Sequence, residues 1–188
     1  MPKSKNVSHA DNQQERLIFI GWVIGYVDGE GCFSINFVKQ PDRKEKTRIR
    51  KGYTTGYQIS HEFAVVQGEK SINSLKKLKD FFKVGNIYIN RRYDNHKENL
   101  YRFSVVRRED LIKTIIPFFQ KHPLQTSKMN DFCLFVKCMK EIEKRNHLTR
   151  VGAIKIARYC EKMNHKKSRS ELIRILRNQT SDSPLARR

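Results

Sequence analysis

Two carboxylates set among glycines, in Val27-Asp28-Gly29-Glu30-Gly31, are the residues of this sequence whose types and spacing suit them to chemistry. They follow an uninterrupted apolar and glycine run, Leu17 to Val27, in which Gly21 and Gly25, with Gly29 beyond, recur every four residues. On a helix these three glycines share one face. Glycine costs about 1 kcal/mol against alanine inside a helix, so three at that spacing point to two helix backbones in close contact. Small residues at this spacing pack helices in membranes, but the run is far shorter than the roughly 20 residues that span a bilayer. The expectation is a buried helix that delivers two acids at its C-terminal end. That end carries partial negative charge and disfavours acids by a few tenths of a kcal/mol, so something positive belongs nearby. A divalent cation, which takes carboxylate and carbonyl oxygens, answers this. An apolar helix with an exposed acidic stop and glycine caps answers the residue pattern equally well.

Val23-Ile24-Gly25-Tyr26-Val27-Asp28-Gly29-Glu30-Gly31 resembles the signature of the LAGLIDADG homing endonucleases. Cys32-Phe33-Ser34-Ile35 is similar to the family's first strand. Ile115-Ile116-Pro117-Phe118-Phe119 and Pro123-Leu124-Gln125-Thr126-Ser127-Lys128 resemble its second landmark. The likeness runs from about residue 17 to about 145. It implies a homing endonuclease that makes a staggered double-strand cut in a long, near-palindromic DNA target. By position it implies that Glu30, helped by the Gly29 carbonyl, holds the catalytic metal. That metal is expected to be Mg²⁺, with Mn²⁺ or Ca²⁺ able to take its place. Gln67 resembles the family's water-organising glutamine, and Lys128 its basic residue beside the scissile phosphate. Each has an ordinary alternative, a strand-end turn residue and a surface lysine. Asp28 is expected to cap or hydrogen-bond at the helix ends rather than to bind metal. The sequence departs from the pattern where Glu30 stands for the second aspartate. It departs again after Gln67, where Gly68, Glu69, Lys70 and Ser71 follow in place of an arginine. An intron RNA maturase on the same fold is the alternative function, and intron RNA a possible partner.

Cutting both strands of a duplex needs two sets of catalytic groups, and the chain carries one motif. Two-fold pairing brings identical patches together, so a homodimer is expected, with Gly21, Trp22, Gly25 and Asp28 at the interface. The two Glu30 side chains would then meet near the axis, where their mutual repulsion becomes a metal site.

Composition agrees with a polyanion partner. The 188 residues hold 39 Lys and Arg against 19 Asp and Glu, a formal net charge of +20, which points to nucleic acid. A membrane surface ranks lower because no basic amphipathic helix with bulky aromatics on its other face stands out. A structural RNA-binding protein gives no reason for the glycine–acid motif. The four cysteines, Cys32, Cys133, Cys138 and Cys160, show no CxxC pair and no zinc spacing, so they read as reduced packing residues. Met1–Gln14 is polar and shows no signal peptide. Together these suggest a reducing compartment: a bacterial or archaeal cytoplasm, or an organelle matrix or stroma.

The elements that must position the acids follow from periodicity. A helix is expected over about 13–28, capped by Asp11 with Gln14, after a loose arm at residues 1–10. Strands are expected at Cys32–Gln40 and Tyr53–Val66, joined by a basic loop, Pro41–Gly52. A helix over 71–82 stops at Gly85. Strands at Asn86–Arg92 and Leu100–Val106 flank a turn at Tyr93–Asn99. Helices follow at Glu109–Phe119, interrupted by Pro117, and at Thr126–Lys144. The last two are at Thr149–Met163 and at Ser168–Arg177, the latter with a Ser168–Glu171 capping box, before a disordered tail at Ser181–Arg188.

The class is α+β, an α-β-β-α-β-β-α plan whose four-stranded antiparallel sheet forms a DNA-binding saddle. One domain is expected over 1–188, with a core at about 11–145 and a helical extension at about 146–180. The polar strand faces supply candidate base readers: Ser34, Asn36, Gln40, Gln58, Ser60, Glu62, Tyr88, Asn90, Arg92 and Arg102. An antiparallel ribbon fits the major groove. The basic loop, with Arg43, Lys44, Lys46, Arg48, Arg50 and Lys51, would hold phosphates.

Overall fold

A computed structural model describes residues 9–40, 42–44, 46–91, 98–163 and 168–178. Arg92, most of the expected turn at 93–99, residues 1–8 of the expected arm and the expected tail lie outside these. Helix α1, His9–Glu30, runs straight into strand β1, Gly31–Lys39, with no loop between them. Gly31 makes this abrupt switch possible: a Cβ there would sit 2.6 Å from Val27 Cγ1 and 2.7 Å from the Val27 carbonyl oxygen. The helix starts earlier than its pattern suggests, so Asp11 lies inside it and not at its cap.

Strand β1 pairs antiparallel with β4, Tyr57–Gly68, and β4 with β6, Leu100–Val105. Strand β6 also pairs with the edge strand β5, Asn86–Asn90, giving the order β1-β4-β6-β5. The α-β-β-α-β-β-α plan and the four-stranded antiparallel sheet are thus present. Alternation divides the sheet's faces as the period of two requires. Phe33, Ile35, Tyr57, Ile59, Phe63, Val65, Phe103 and Val105 are buried beneath the helices. There Phe33 meets Phe63 at 5.0 Å and Phe132 at 5.1 Å between ring centres, and Phe63 meets Phe119 at 5.7 Å. Such pairs add about 0.5–1.5 kcal/mol each beyond their burial.

Helix α2, Ile72–Phe82, buries Leu75, Leu78 and Phe82 as its stripe predicts. Gly85 is not its stop. Lys83 ends the helix in the left-handed conformation, φ 57°, its N–H bonded to the Lys79 carbonyl. Gly85, also at positive φ, leads into β5 instead. The expected interruption at Pro117 takes a specific form. Helix α3, Arg108–Asp110, widens into a π-helical stretch, Leu111–Ile115, and tightens again in α4, Ile116–Lys121. Proline has no N–H for the carbonyl four residues back, and the widened turn stands just before it.

The segment read as a featureless basic loop contains a short ribbon, β2 (Arg43–Lys44) against β3 (Ile49–Arg50), closed at its base by the Gly52 N–H donating to Asp42 Oδ1 at 2.7 Å. Its strands expose both faces, so no apolar alternation announced them. Helix α5, Lys128–Glu143, starts two residues later than its pattern. Beyond it come a 3₁₀ turn, Asn146–Leu148, then α6, Arg150–Cys160, capped by the Thr149 hydroxyl, which accepts from Gly152 N, and α7, Ser170–Asn178. The expected Ser168–Glu171 box does not form: the Glu171 carboxylate takes Arg174 instead, at 2.7 Å. On the helical side of β4, His61 faces Arg108 and His147, and burial holds its imidazole down to about 4. The Nδ1 atoms of His61 and His147 are both buried without a hydrogen-bond partner.

Candidate active site

The C-terminal end of α1 meets the N-terminal end of α5, and this junction resolves the electrostatic oddity of acids at a helix C-terminus. The Lys128 ammonium donates to three carbonyl oxygens there: Gly31 at 2.6 Å, Val27 at 3.0 Å and Gly29 at 3.3 Å. A cation at a helix C-terminus is favourable by roughly 0.3–1 kcal/mol. Asp28 is engaged in the opposite sense. Its carboxylate accepts from Gln125 N at 2.7 Å, from Thr126 Oγ1 at 2.7 Å and from Thr126 N at 3.3 Å. Asp28 thus hydrogen-bonds the two backbone N–H groups that lie just ahead of the α5 N-cap, Ser127. Glu30 remains exposed, one residue from the Gly29 and Gly31 carbonyls.

Gln67 is brought to the same place from the end of β4. Its side chain interacts with the Tyr26 hydroxyl, which also feels Glu30; burial is the main cause of that phenol's raised pKa. Ser74 Oγ donates to the Ser71 carbonyl at 2.6 Å, so its own proton is committed. Tyr26 therefore donates to Ser74 across their 2.5 Å contact. Ser74 was missed from sequence because it belongs to no motif, whereas Tyr26 lies within the signature but gained no role there, since its partner Ser74 is 48 residues away. Lys70, one of the residues that follow Gln67 where the pattern has an arginine, is almost fully exposed and paired with Glu98 at 2.6 Å.

Hard oxygen donors converge where a metal is expected, and they already draw a cation, the Lys128 ammonium. Glu30 and the Gly29 carbonyl suit a divalent ion. Among the described residues no group of three or more His, Cys, Asp or Glu side chains stands close enough to hold a metal.

The outward face of the sheet carries the expected polar residues in register. Ser34 lies opposite Glu62, Asn36 opposite Ser60, and Tyr88 opposite Arg102. Gln40 donates to Gln58 at 3.1 Å. Asn90 ends the edge strand. Arg43, Arg48 and Arg50 are exposed on or beside the ribbon, and a cleft of about 190 Å³ opens between Gln40, Arg43, Arg50, Lys51, Gly52 and Tyr53. In the middle of this face Arg102 donates from Nε to Glu62 Oε1 at 2.8 Å and from Nη2 to Glu62 Oε2, while Ser104 Oγ donates to Glu62 Oε1 at 2.5 Å. Ser104 lies on β6 opposite Ala64 of β4. Its part in this network depends on β4–β6 register, which sequence spacing does not reveal.

The glycine face of α1 is open. A Cβ built on Gly21, Gly25 or Gly29 meets no atom within 4 Å, and Leu17 and Ile18 beside it are 59% and 66% exposed. Among the described residues, the close backbone contact expected for these glycines is therefore not made. Trp22 is drawn toward α2, stacked on Tyr26 at 5.0 Å with Phe19 at 5.1 Å and Lys77 at 6.0 Å. No helix among the described residues is long and apolar enough to cross a membrane.

Comparison with known proteins adds to this geometry. The family model described as LAGLIDADG endonuclease matches residues 23–139. The probable intron-encoded endonuclease 2 of Neurospora crassa is 31% identical over 135 residues, which is 72% of this chain and 25% of that protein. The chain thus spans about a quarter of that relative's length. Among solved structures, the homing endonuclease I-TnaI is similar with a TM-score of 0.66 and 34% identity, covering 84% of this chain and 95% of that one. I-SmaMI, solved bound to an uncleaved DNA target in the presence of calcium ions, is similar with a TM-score of 0.65 and 30% identity. The match covers 83% of this chain and 48% of that one.

Proposed function

The chain belongs to the LAGLIDADG endonuclease family, and from that premise we propose that it is a site-specific homing endonuclease, working as a pair of identical chains on a long, near-palindromic DNA duplex and leaving a staggered cut. The observation that carries this is the placement of Glu30, exposed at the end of a helix whose glycine face is open along its length. Two copies meeting at Gly21 and Gly25 bring both Glu30 carboxylates to one place. I-SmaMI, about half of which this chain matches, has been solved on DNA with calcium, which supports both the partner and a divalent cofactor, proposed as Mg²⁺.

Glu30 of each chain and the Gly29 carbonyl would hold the metal, which would supply Lewis acidity to the scissile phosphate and lower the pKa of the attacking water. The chain's own groups supply the rest. Gln67, beside the Tyr26 hydroxyl, accepts from that water through its side-chain oxygen. Lys128, anchored at the helix end, offsets charge gathering on the phosphate. The polar sheet face, with Ser34, Asn36, Gln58, Ser60 and Asn90, lies along the major groove, and Arg43, Arg48 and Arg50 hold phosphates at its margin. Asp28 fixes the helix junction beneath.

Glu30→Gln tests the assignment. It abolishes Mg²⁺-dependent cutting of the target duplex, read by electrophoresis, and leaves binding in Ca²⁺ intact by mobility shift. Cutting at the wild-type rate would overturn it.

A further inference from the structure

The outward sheet face of a protein with net charge +20 is an unexpected place for a carboxylate bonded to three donors, and the Glu62–Arg102–Ser104 network has that form. Glu62, on β4, accepts from Arg102 Nε and Nη2 and from Ser104 Oγ. Its side chain is only 17% exposed, whereas that of Arg102 is 42% exposed. Glu62 thus has little left to offer a base. The arginine has more, because guanidinium is planar and carries five donors in a fixed fork. Glu62 takes the Nε–Nη2 edge. The other edge, Nη1 with the second Nη2 proton, points away from Glu62 as two parallel donors.

We infer that Arg102 reads a guanine in the major groove, aimed by Glu62 and Ser104 acting as positioning residues, and so fixes a G·C pair at one position of each half-site. The inference rests on the reading of the sheet as the DNA-binding face. Two parallel donors match guanine O6 and N7, both acceptors. Adenine presents an acceptor beside a donor there, thymine an acceptor beside a methyl group, and cytosine a donor. A phosphate would favour a cation without a carboxylate against it, because Glu62 offsets part of the attraction that phosphate exploits. Fixing the side chain in advance also removes much of the rotamer entropy that binding otherwise costs. Arg102 stands opposite Val66 on one side and Tyr88 on the other, which wall the approach to the base. It lies two strands from Gly31, about 10 Å at the usual strand spacing. The guanine is therefore within about three base-pair steps of the point where Glu30 acts.

The test is selection of duplexes from a randomised DNA pool by the full chain in Ca²⁺, followed by sequencing. The wild type enriches guanine at one position of each half-site, within about three base pairs of the cut. Arg102→Gln loses roughly 10–100-fold discrimination there and keeps the preferences elsewhere. Arg102→Lys, which keeps the charge and loses the fork, loses the same preference, and it serves if Arg102→Gln fails to fold. Glu62→Gln weakens the preference severalfold at that position alone, which a merely structural role would not do. Unchanged selected sequences in the Arg102 variants overturn the inference. So does a uniform loss of affinity with a salt slope lower by about one, the signature of a phosphate contact. If the wild type enriches no sequence at all, the reading of the sheet has failed. If it enriches a sequence that Arg102 does not influence, only this inference has.

Discussion

On one side of α1, Val23 and Val27 are sealed from solvent, and Phe19, Trp22 and Tyr26 stack in a row toward α2. On the other, Gly21, Gly25 and Gly29 look onto space in which an added methyl group meets nothing. Both faces are built from apolar or small residues, yet one chain covers only one of them. The valines recover their cost inside this fold. The glycines lower helix propensity by about 1 kcal/mol each and recover nothing until something else arrives. Stability and the proposed pairing are therefore written on different sides of a single helix and should be separable by mutation.

The largest effect is expected on the open side. Gly25→Leu places four carbons where a second helix is proposed to lie. It should abolish pairing in sedimentation and reduce cutting by at least about 100-fold, while the isolated chain gains up to roughly 1 kcal/mol from better helix propensity. A variant that pairs and cuts normally breaks the comparison.

Acid probes the packed interior next. His61 is held neutral, its imidazole lowered from 6.5 to about 4 by burial first and then by Arg108 and His147, and burial also lowers His147. The unfolded chain binds these protons more readily, so stability is full above about pH 6.5 and falls as pH drops toward 4. For His61 the loss is at most about 3 kcal/mol. Denaturant melts across that range check it, and His61→Phe flattens the profile. Val27→Ala sharpens the contrast from the buried side. It should cost about 2–3 kcal/mol of unfolding free energy and leave the pairing constant of folded chains unchanged within a few-fold.

Much of this was legible because it was local. Alternation in Phe33–Phe37 and Tyr57–Val65 announced the strands and their faces, and the glycine spacing announced a helix surface of unusual kind. The resemblance then carried Glu30, Gln67 and Lys128 to one site, and the structure brings all three to the α1–α5 junction. What escaped was non-local or unpatterned. The acids' need for positive charge was legible, but its answer, an ammonium on three backbone carbonyls, depends on residues about a hundred positions downstream. Glu62 and Arg102 were each read as independent groove contacts, since only the β4–β6 register shows that one holds the other. The ribbon at 43–50 has no buried side and so gave no period. Lys83 adopts a conformation usually left to glycine, which drew attention to Gly85 instead.

The clasp between Asp28 and the backbone of Gln125 and Thr126 spans 97 and 98 positions of sequence. A ribosome therefore releases Glu30 long before it has made Lys128 or the start of α5. Until that late segment emerges, the growing polypeptide carries Asp28 without the backbone N–H groups that hold its carboxylate, so the proposed catalytic end of the helix is set only when synthesis is well advanced.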